Sequence, residues 1–360
     1  MTTATSHEEW MRRALQLAQL GSGQVAPNPL VGCVIVRDDV MIAEGWHASY
    51  GALHAETDAL RHLDGNAQGA TMYVNLEPCA HYGKQPPCVD AIIRSGVQRV
   101  VVAMTDPNPA VSGRGVRLLQ EAGIEVVLDV MRDEAEYLNR RFVHWMRTKL
   151  PHVTLKIATS LDSRAQMPAD QGRYITSAES RFHVHKLRSC VDAVMIGIGT
   201  ALYDNPELTV RLCPGRNPVR VVVDSMCRLP TSTKLVTTAR ETPTIVLCSD
   251  RSDRDAREEL RDNGVDVIVL PTGEGTIIAT RDLLAALAEK NISSVLAEGG
   301  PYVAARLLRD DYVEELHFHA APLMIGSGPT WVLDTPMRRW ALRKLLQVGS
   351  DVHVQYVRSR

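Results

Sequence analysis

Five residues in the first quarter of the chain have the types and the spacing of a catalytic zinc site. His54 and Glu56 are separated by one residue, and Pro78-Cys79 is followed by Cys88, nine positions after Cys79. A catalytic zinc ion is held by three protein ligands, often imidazole nitrogen and thiolate sulfur, with a water molecule in the fourth position. We therefore predict that His54, Cys79 and Cys88 bind Zn²⁺.

Glu56 is the predicted proton carrier of this site. Zinc lowers the pKa of water toward neutrality, and a nearby carboxylate can take a proton and pass it to a leaving amine. The order H-x-E, then P-C-x-x-C is the signature of zinc deaminases of nucleobases, although the cysteines here are nine residues apart rather than three. We predict a deaminase of a nucleobase-like ring. A core His or Cys, a structural zinc or no metal at all is the alternative explanation of each residue taken alone.

The loop between the two cysteines is a further candidate for substrate binding. His81 and Lys84 lie on it, and the loop is anchored at both ends by predicted metal ligands. Lys84 would suit an anionic group such as a phosphate. The alternative is an ordinary solvated surface lysine.

The elements predicted around the zinc ligands alternate between short apolar strands and helices, which is typical of an α/β layer fold. His54 and Glu56 are expected in the first turn of one helix. Pro78 is expected to begin another, with Cys79 at its positive end. Ser6 and Glu9 form a predicted capping box for the first helix, which Gly21 ends. The other predicted segments of this half are strands at 30–36, 40–44, 71–76, 99–103 and 124–128 and helices at 55–63, 89–95 and 133–148.

A second α/β pattern begins after Pro151, so the predicted domains are 1–148 and 152–360. The G-x-G-x-x-G fingerprint of a Rossmann domain is absent, because Gly197-Ile198-Gly199-Thr200 lacks its third glycine. The run 298–301 (EGGP) follows an apolar strand and could offer backbone N–H groups to a pyrophosphate, or be a plain turn. The strands predicted here are 152–158, 192–199, 219–224, 244–248, 265–270 and 293–300.

Composition favours an enzyme that acts on small molecules. The formal net charge is −2, with no long block of Lys or Arg, so we expect no nucleic-acid partner. No stretch approaches the ~20 apolar residues of a membrane span, and the N-terminus lacks a signal peptide's apolar core. The seven cysteines are scattered, which favours a reducing cytoplasm over a disulfide framework.

Longer motifs resemble one family. The first half contains PNPLVGCVIV, HAE, NLEPCAHYGKQPPC and DPNPAVSGRG, and the second contains LKIATSLDSRA, RFHVHKLRSCVDAVMIGIGTALYDNPELTVR and AEGGP. In this order they resemble the bifunctional deaminase/reductase family of riboflavin biosynthesis. The resemblance implies a cytidine-deaminase-like α/β/α domain followed by a dihydrofolate-reductase-like α/β domain.

The activities that the resemblance implies are consecutive. The first domain would remove the exocyclic amine of 2,5-diamino-6-ribosylamino-4(3H)-pyrimidinone 5′-phosphate. The second would use NADPH to reduce 5-amino-6-(5-phosphoribosylamino)uracil to the ribitylamino product. The family also implies a homo-oligomer, with a dimer favoured.

The resemblance also assigns contacts by position. The implied contacts to the deaminase substrate are Asn28, His47, His81 and Lys84. NADPH would contact Ala158, Tyr174, Thr200, Asp204, Ser225 and Gly300. The reductase substrate would contact Lys156, Arg188, Leu208, Arg211 and Glu298, and Asp162 would also line this site. Arg188 and Arg211 suit phosphate, because a guanidinium binds it through two hydrogen bonds, although an exposed Arg is usually a simple surface charge.

Three positions depart from the family pattern. Tyr174 stands where the family usually has Trp, and this change keeps a flat aromatic face. Ser163 stands where the family usually has a Gly after Asp162, and Gly172 stands where the family has a substrate-binding Ser.

Two other functions are compatible with the residues alone. One is a nucleoside or tRNA deaminase with an accessory C-terminal domain, which the charge does not favour. The other is a non-catalytic protein with a structural zinc, which would not need Glu56.

Overall fold

A computed structural model describes residues 6–82, 85–109, 111–168, 170–272, 277–331 and 335–359. The chain forms two compact units, Met1–Lys149 and Leu150–Arg360. Across these described ranges, no helix combines the length and apolar character that a membrane crossing requires.

The first unit is a five-stranded sheet with helices packed on it. The strand order is β2-β1-β3-β4-β5, with β1 antiparallel to both neighbours and the pairs β3–β4 and β4–β5 parallel. The predicted capping box is present. The Ser6 side chain accepts a hydrogen bond from the Glu9 backbone N–H, and the Glu9 side chain accepts one from the Ser6 backbone N–H. The elements are α1 (His7–Gln19), β1 (Gly32–Arg37), β2 (Val40–Trp46), α2 (Ala55–Arg61), β3 (Thr71–Val74), α3 (Cys88–Arg94), β4 (Arg99–Val102), α4 (Arg114–Glu121), β5 (Glu125–Val127), α5 (Arg132–Leu138) and α6 (Arg140–Thr148).

The single helix predicted over 133–148 is wrong, because the structure divides it at Asn139 into α5 and α6. Asn139 is buried. Its side-chain oxygen accepts from the Leu30 backbone N–H at 2.8 Å, and its amide nitrogen donates to the Leu30 carbonyl at 2.9 Å. The residue therefore satisfies the backbone just before β1, and helical periodicity alone could not reveal this.

The second unit is built on a nine-stranded sheet of order β10-β9-β8-β7-β11-β6-β12-β14-β13. The first seven strands of this order, from β10 to β12, are parallel to one another. The last two, β14 and β13, are each antiparallel to the strand before them and complete one edge. The six predicted strands are present with shifted ends. The elements are β6 (His152–Thr159), α7 (Ala178–Ser189), β7 (Ala193–Gly197), α8 (Ile198–Asp204), β8 (Val219–Val223), α9 (Lys234–Thr237), β9 (Thr244–Ser249), α10 (Arg254–Asp262), β10 (Asp266–Leu270), α11 (Thr280–Glu289), β11 (Ser294–Ala297), α12 (Pro301–Arg309), β12 (Glu315–Ala320), β13 (Trp340–Val348) and β14 (Asp351–Arg358).

Ser163 is one of the departures from the family pattern, and its backbone conformation shows why glycine suits this position. Its φ of 60° lies in the left-handed region, where an L side chain costs roughly 1–2 kcal/mol and glycine avoids that cost. Its carbonyl accepts from the Trp331 backbone at 3.0 Å, so the conformation is fixed by a neighbouring segment.

We expect Ser163→Gly to stabilise the second unit by roughly 0.5–1 kcal/mol, since the relieved strain exceeds the entropy that glycine loses on folding. Urea unfolding checks this value. Ser163→Ala is the control, and an equal gain from alanine would show that the hydroxyl, not the backbone, is responsible.

Candidate functional site

The three predicted zinc ligands converge in the first unit. The ligand atoms of His54, Cys79 and Cys88 lie within 4.8 Å of one another. The His54 Nδ1 atom is 3.2 Å from the Cys88 Sγ and 3.4 Å from the Cys79 Sγ. One imidazole nitrogen and two sulfurs form a donor set that zinc prefers, and three protein ligands leave the fourth position of a tetrahedral zinc ion to water. The residues therefore fit a catalytic zinc ion.

Two helices position these ligands, and one of them differs from the prediction. His54 is the N-cap of α2, so Glu56 lies in the first turn as expected. The helix predicted to begin at Pro78 is wrong: Cys79 lies on an irregular segment, and Cys88 is the first residue of α3. The Cys88 backbone N–H, free at the helix start, donates to the Cys79 Sγ at 3.3 Å. The positive N-terminal end of α3, and not of a helix that begins at Pro78, therefore lies beside the Cys79 sulfur.

The electrostatics of the site favour a thiolate and a proton-accepting carboxylate. Hydrogen bonding from Cys88, with a further contribution from His54, lowers the pKa of Cys79 to about 4. Glu56 is 3 % exposed, and burial, with the nearby Cys79, raises its pKa to about 7. A general base works best when its pKa is near the working pH. Glu56 is therefore suited to accept and return a proton.

The structure brings two of the four implied deaminase substrate contacts together. His47 Nδ1 bonds the Leu53 carbonyl at 2.9 Å, so its Nε2 is the acceptor that faces the Asn28 amide at 3.2 Å. The His47 ring meets His54 edge-on, with 5.6 Å between centroids. His81 is exposed on the loop between the cysteines. Lys84 lies outside the described residues.

Two buried polar residues before Cys79 were missed by the sequence analysis. The Glu77 carboxylate accepts backbone N–H groups of Asp106, Gly113 and Gly115 at 2.8–3.0 Å. Asn75 is fully buried; its side-chain oxygen accepts from the backbone N–H of Gly32, and its amide donates to the Leu30 carbonyl, at the start of β1. The signal available was two polar residues at the end of an apolar strand, beside a metal ligand.

We expect Cys88→Ser to lower the zinc content by about one ion per chain, because two ligands hold zinc far more weakly than three. Metal analysis of dialysed protein checks the loss, and Cys213→Ser is the control with unchanged zinc. Full zinc retention in Cys88→Ser would remove Cys88 from the ligand set.

A second site lies in the other unit, at the carboxyl ends of its central parallel strands, where ligands of open α/β sheets bind. The structure has a cavity there of about 1130 Å³. All eleven residues assigned to the cofactor and reductase substrate line it: Lys156, Ala158, Tyr174, Arg188, Thr200, Asp204, Leu208, Arg211, Ser225, Glu298 and Gly300.

A buried ion pair organises one wall of this cavity. Arg188 donates two hydrogen bonds to the Glu298 carboxylate, at 2.6 and 2.8 Å. The side chains are 12 % and 7 % exposed. Burial acts to raise the pKa of Glu298, but the positive charge and hydrogen bonds of Arg188 outweigh this effect, so the pKa of Glu298 is lowered and the group stays ionised. Burial also lowers the pKa of the neighbouring Lys156, because it disfavours the charged ammonium.

Backbone contacts shape the opposite wall. The Gly300 N–H at the start of α12 donates to the Thr200 hydroxyl at 3.0 Å, so EGGP is a strand-to-helix turn as predicted. Leu208 is buried with a φ of 55°, a strained conformation of the kind found at ligand sites. Tyr174, half exposed, has the Arg181 guanidinium 4.5 Å from its ring centroid.

Asp162 does not line the cavity, contrary to expectation. Its carboxylate accepts from the Ser160 hydroxyl and from the Ile325 and Gly326 backbone, so it holds a loop. Gly172 has a φ of 110°, a conformation that serine would rarely adopt. The cationic side chains of the cavity lining that the sequence analysis missed are Arg173, Arg181, Arg228, Lys234 and Arg306, and the lining also includes the imidazole of His185.

Two family models match the chain. Residues 4–104 match the cytidine and deoxycytidylate deaminase zinc-binding region, and residues 151–354 match the RibD C-terminal domain. The chain is 41% identical over 354 residues to riboflavin biosynthesis protein RibD of Bacillus amyloliquefaciens, covering 96% of this chain and 94% of that one. It is 39% identical to the same-named protein of Escherichia coli K12, with 97% and 99% covered.

Solved structures agree over both units. Acinetobacter baumannii RibD, form 1, has a TM-score of 0.87 at 35% identity, covering 98% of this chain and 99% of that chain. The diaminohydroxyphosphoribosylaminopyrimidine deaminase/5-amino-6-(5-phosphoribosylamino)uracil reductase of Thermotoga maritima has a TM-score of 0.85 at 34% identity, with the same coverage. The reductase match of the second unit rules out a deaminase with a merely accessory C-terminal domain. The chain therefore belongs to the RibD family of riboflavin biosynthesis enzymes, with a zinc-binding deaminase domain followed by a reductase domain.

Proposed function

We propose that the first unit deaminates 2,5-diamino-6-ribosylamino-4(3H)-pyrimidinone 5′-phosphate and that the second reduces 5-amino-6-(5-phosphoribosylamino)uracil with NADPH. The observation that carries this proposal is the pairing of two complete sites in one chain. In the first unit the candidate ligand atoms of His54, Cys79 and Cys88 lie within 4.8 Å of one another, and the buried Glu56 is two residues from His54. In the second unit eleven assigned residues line one cavity.

Deamination replaces an exocyclic amine by the oxygen of water and releases ammonia. His54, Cys79 and Cys88 would hold a zinc ion, which would supply a Lewis acid that makes water nucleophilic at neutral pH. Glu56 takes a proton from the attacking water and returns it to the departing nitrogen. Asn28 and His47 present an amide and an imidazole that can read the edge of the pyrimidine ring.

Reduction opens the ribosyl ring to a ribityl chain. When bound, NADPH would supply a hydride for this reduction. The sugar carbon bonded to nitrogen would gain that hydride as its bond to the ring oxygen breaks, and the ring oxygen would take up a proton and become a hydroxyl. Lys156 is a half-buried ammonium in the cavity lining, and desolvation lowers its pKa, which makes it a stronger acid than an exposed lysine. We assign it to hold the sugar oxygens, while Arg211 carries a charge suited to the substrate phosphate.

A two-step assay tests the proposal on the full chain. Without NADPH, the phosphorylated diaminopyrimidine should release ammonia and accumulate the deaminated product. Adding NADPH should then consume one equivalent of the nucleotide per product molecule. Ammonia release without any later NADPH oxidation would contradict the assignment of the second site.

Lys84 is proposed to bind the substrate phosphate, from its place on the loop between Cys79 and Cys88. Lys84→Ala should lower the deaminase kcat/KM by roughly 10-fold or more, since a charge-assisted hydrogen bond contributes about 1.5–3 kcal/mol. Added salt should shrink the loss, and thermal stability should stay within about 0.5 kcal/mol of the parent. Lys84→Arg is the control that keeps the charge. An unchanged kcat/KM in Lys84→Ala would show that Lys84 is an ordinary solvated surface lysine that does not bind the substrate.

We also propose that the enzyme works in the cytoplasm as a homodimer. The seven cysteines are all free, as a reducing compartment would keep them.

A further inference from the structure

Three histidines of the second unit, outside the cavity lining, form a cluster that the proposed reactions do not use. His183 lies on α7, His319 on β12 and His353 on β14. The rings of His183 and His353 have centroids 4.4 Å apart, and those of His319 and His353 4.5 Å apart. One nitrogen of each ring lies within 4.8 Å of the other two. We call these three residues the trihistidine cluster.

The cluster is buried, and one nitrogen of each ring lacks a hydrogen-bond partner among the described residues. His319 is 0 % and His353 1 % exposed. The atoms His183 Nδ1, His319 Nε2 and His353 Nδ1 are buried and have no hydrogen-bond partner among the described residues. Burying such a group without a partner costs free energy, so native structures rarely leave three together. A bound cation would satisfy all three at once.

Hydrogen bonds behind His353 fix which of its nitrogens carries the proton. His317 Nε2 lies 2.9 Å from a carboxylate oxygen of the buried Glu315, to which it donates. With Nε2 as the donor to Glu315, the neutral form of His317 accepts through Nδ1, which is 3.0 Å from His353 Nε2. In that arrangement His353 donates from Nε2 and keeps a lone pair on Nδ1. A carboxylate-oriented imidazole is the usual support of a metal-binding histidine.

The other two rings also suit metal binding. His319 Nδ1 lies 3.4 Å from the Ser180 hydroxyl, which can accept its proton and leave Nε2 free for a ligand. Burial, with nearby positive charge, lowers the pKa of His183 to about 4 and that of His353 to about 3. The imidazoles are therefore neutral at physiological pH, the form that ligates metals.

From this geometry we propose that the trihistidine cluster is a second metal site, which binds a divalent transition ion that prefers imidazole, with Zn²⁺ as the physiological choice. Three neutral imidazoles favour Zn²⁺, Co²⁺, Ni²⁺ or Cu²⁺ over Mg²⁺ or Ca²⁺. Zinc–nitrogen bonds of about 2.0–2.1 Å need the three atoms roughly 3.4 Å apart, so each ring has to move by less than ~1 Å.

The site would tie α7 to the sheet. The same helix carries Arg188 and His185, whose side chains line the reductase cavity. His319 pairs with Ala158 on β6, another cavity residue. An ion at the cluster would join α7, β12 and β14 through one centre and so fix the helix above that cavity.

Metal analysis of tag-free, full-length protein tests the proposal. After equilibration with Zn²⁺ and dialysis, we expect about two ions per chain, one at each three-ligand site. His319→Gln and His353→Gln should each hold about one, and the exposed His62→Gln should keep both. His317→Gln should retain the ligands but bind the second ion roughly 10–100-fold more weakly.

Cobalt titration of the unmutated, metal-stripped protein gives an answer that requires no variant to fold. The sulfur ligands Cys79 and Cys88 give intense thiolate-to-cobalt charge-transfer bands with one equivalent. The other equivalent should add only weak ligand-field bands, because the cluster has no sulfur. A single bound equivalent with the thiolate spectrum, or two zinc ions retained in folded His319→Gln and His353→Gln, would overturn the proposal.

Discussion

Glu56→Gln is expected to lower the deamination rate by roughly 10² or more, while the zinc content stays unchanged. The amide has nearly the same shape as the carboxylate but cannot accept a proton. Glu56 is buried beside the metal ligands, so bulk water cannot easily replace it. Ammonia release from the phosphorylated diaminopyrimidine measures the loss.

Two controls separate catalysis from folding. Glu121→Gln, at the exposed end of α4, should leave both activities at parental levels. Reduction of the pre-deaminated substrate by Glu56→Gln should also be unaffected, because that reaction is assigned to the other unit. Equal loss of both activities in a folded, zinc-loaded variant would contradict the two-site assignment.

Glu298→Gln is expected to lower both the stability of the second unit and its rate of reduction, and the loss of stability should be larger than in the other variants described here. It leaves the Arg188 guanidinium buried without its anion, and breaking such a pair costs about 3–5 kcal/mol. The wall of the cavity that Arg188 forms would also lose its geometry. Chemical unfolding of the second unit, with NADPH oxidation as the activity readout, measures both losses.

Asp266→Asn is the matched control in the same unit. It removes an ion pair with Lys290 of similar length, 2.7 Å, but both side chains are nearly half exposed. Exposed pairs contribute about 0–1 kcal/mol, so this variant should remain close to the parent. Equal destabilisation by the two substitutions would show that burial of the Arg188–Glu298 pair is not what matters.

The parts of the fold that follow local rules could be predicted from sequence. The capping box of Ser6 and Glu9 and the buried strands around Val101 and Val222 depend on residue type and period alone. The zinc ligands could be predicted from residue types and their order along the chain, namely H-x-E at His54 and Glu56 followed by Cys79 and Cys88. The start predicted at Pro78 was wrong because proline suits several positions outside helices as well.

Other parts depend on tertiary contacts that no local pattern contains. β12 was missed because its buried face carries Glu315, His317 and His319, so its alternation does not read as an apolar strand. β13 was missed because most of its residues are exposed at the edge of the sheet. The family resemblance selected cavity residues that composition could not, although Asp162 shows that a motif neighbour need not line the site.

The contact between Asn139 and Leu30 sets a lower limit on the smallest fragment that can deaminate independently. The zinc-binding region that matches known deaminases ends at residue 104, before α4, β5, α5 and α6. A fragment cut there would leave the Leu30 N–H without the acceptor that Asn139 provides, two residues after Asn28. It would also remove α5, which contacts α1, and β5, which pairs with the edge of β4. An excised catalytic module should therefore extend to Lys149, and its C-terminal helices cannot be discarded as a spacer between the two enzymes.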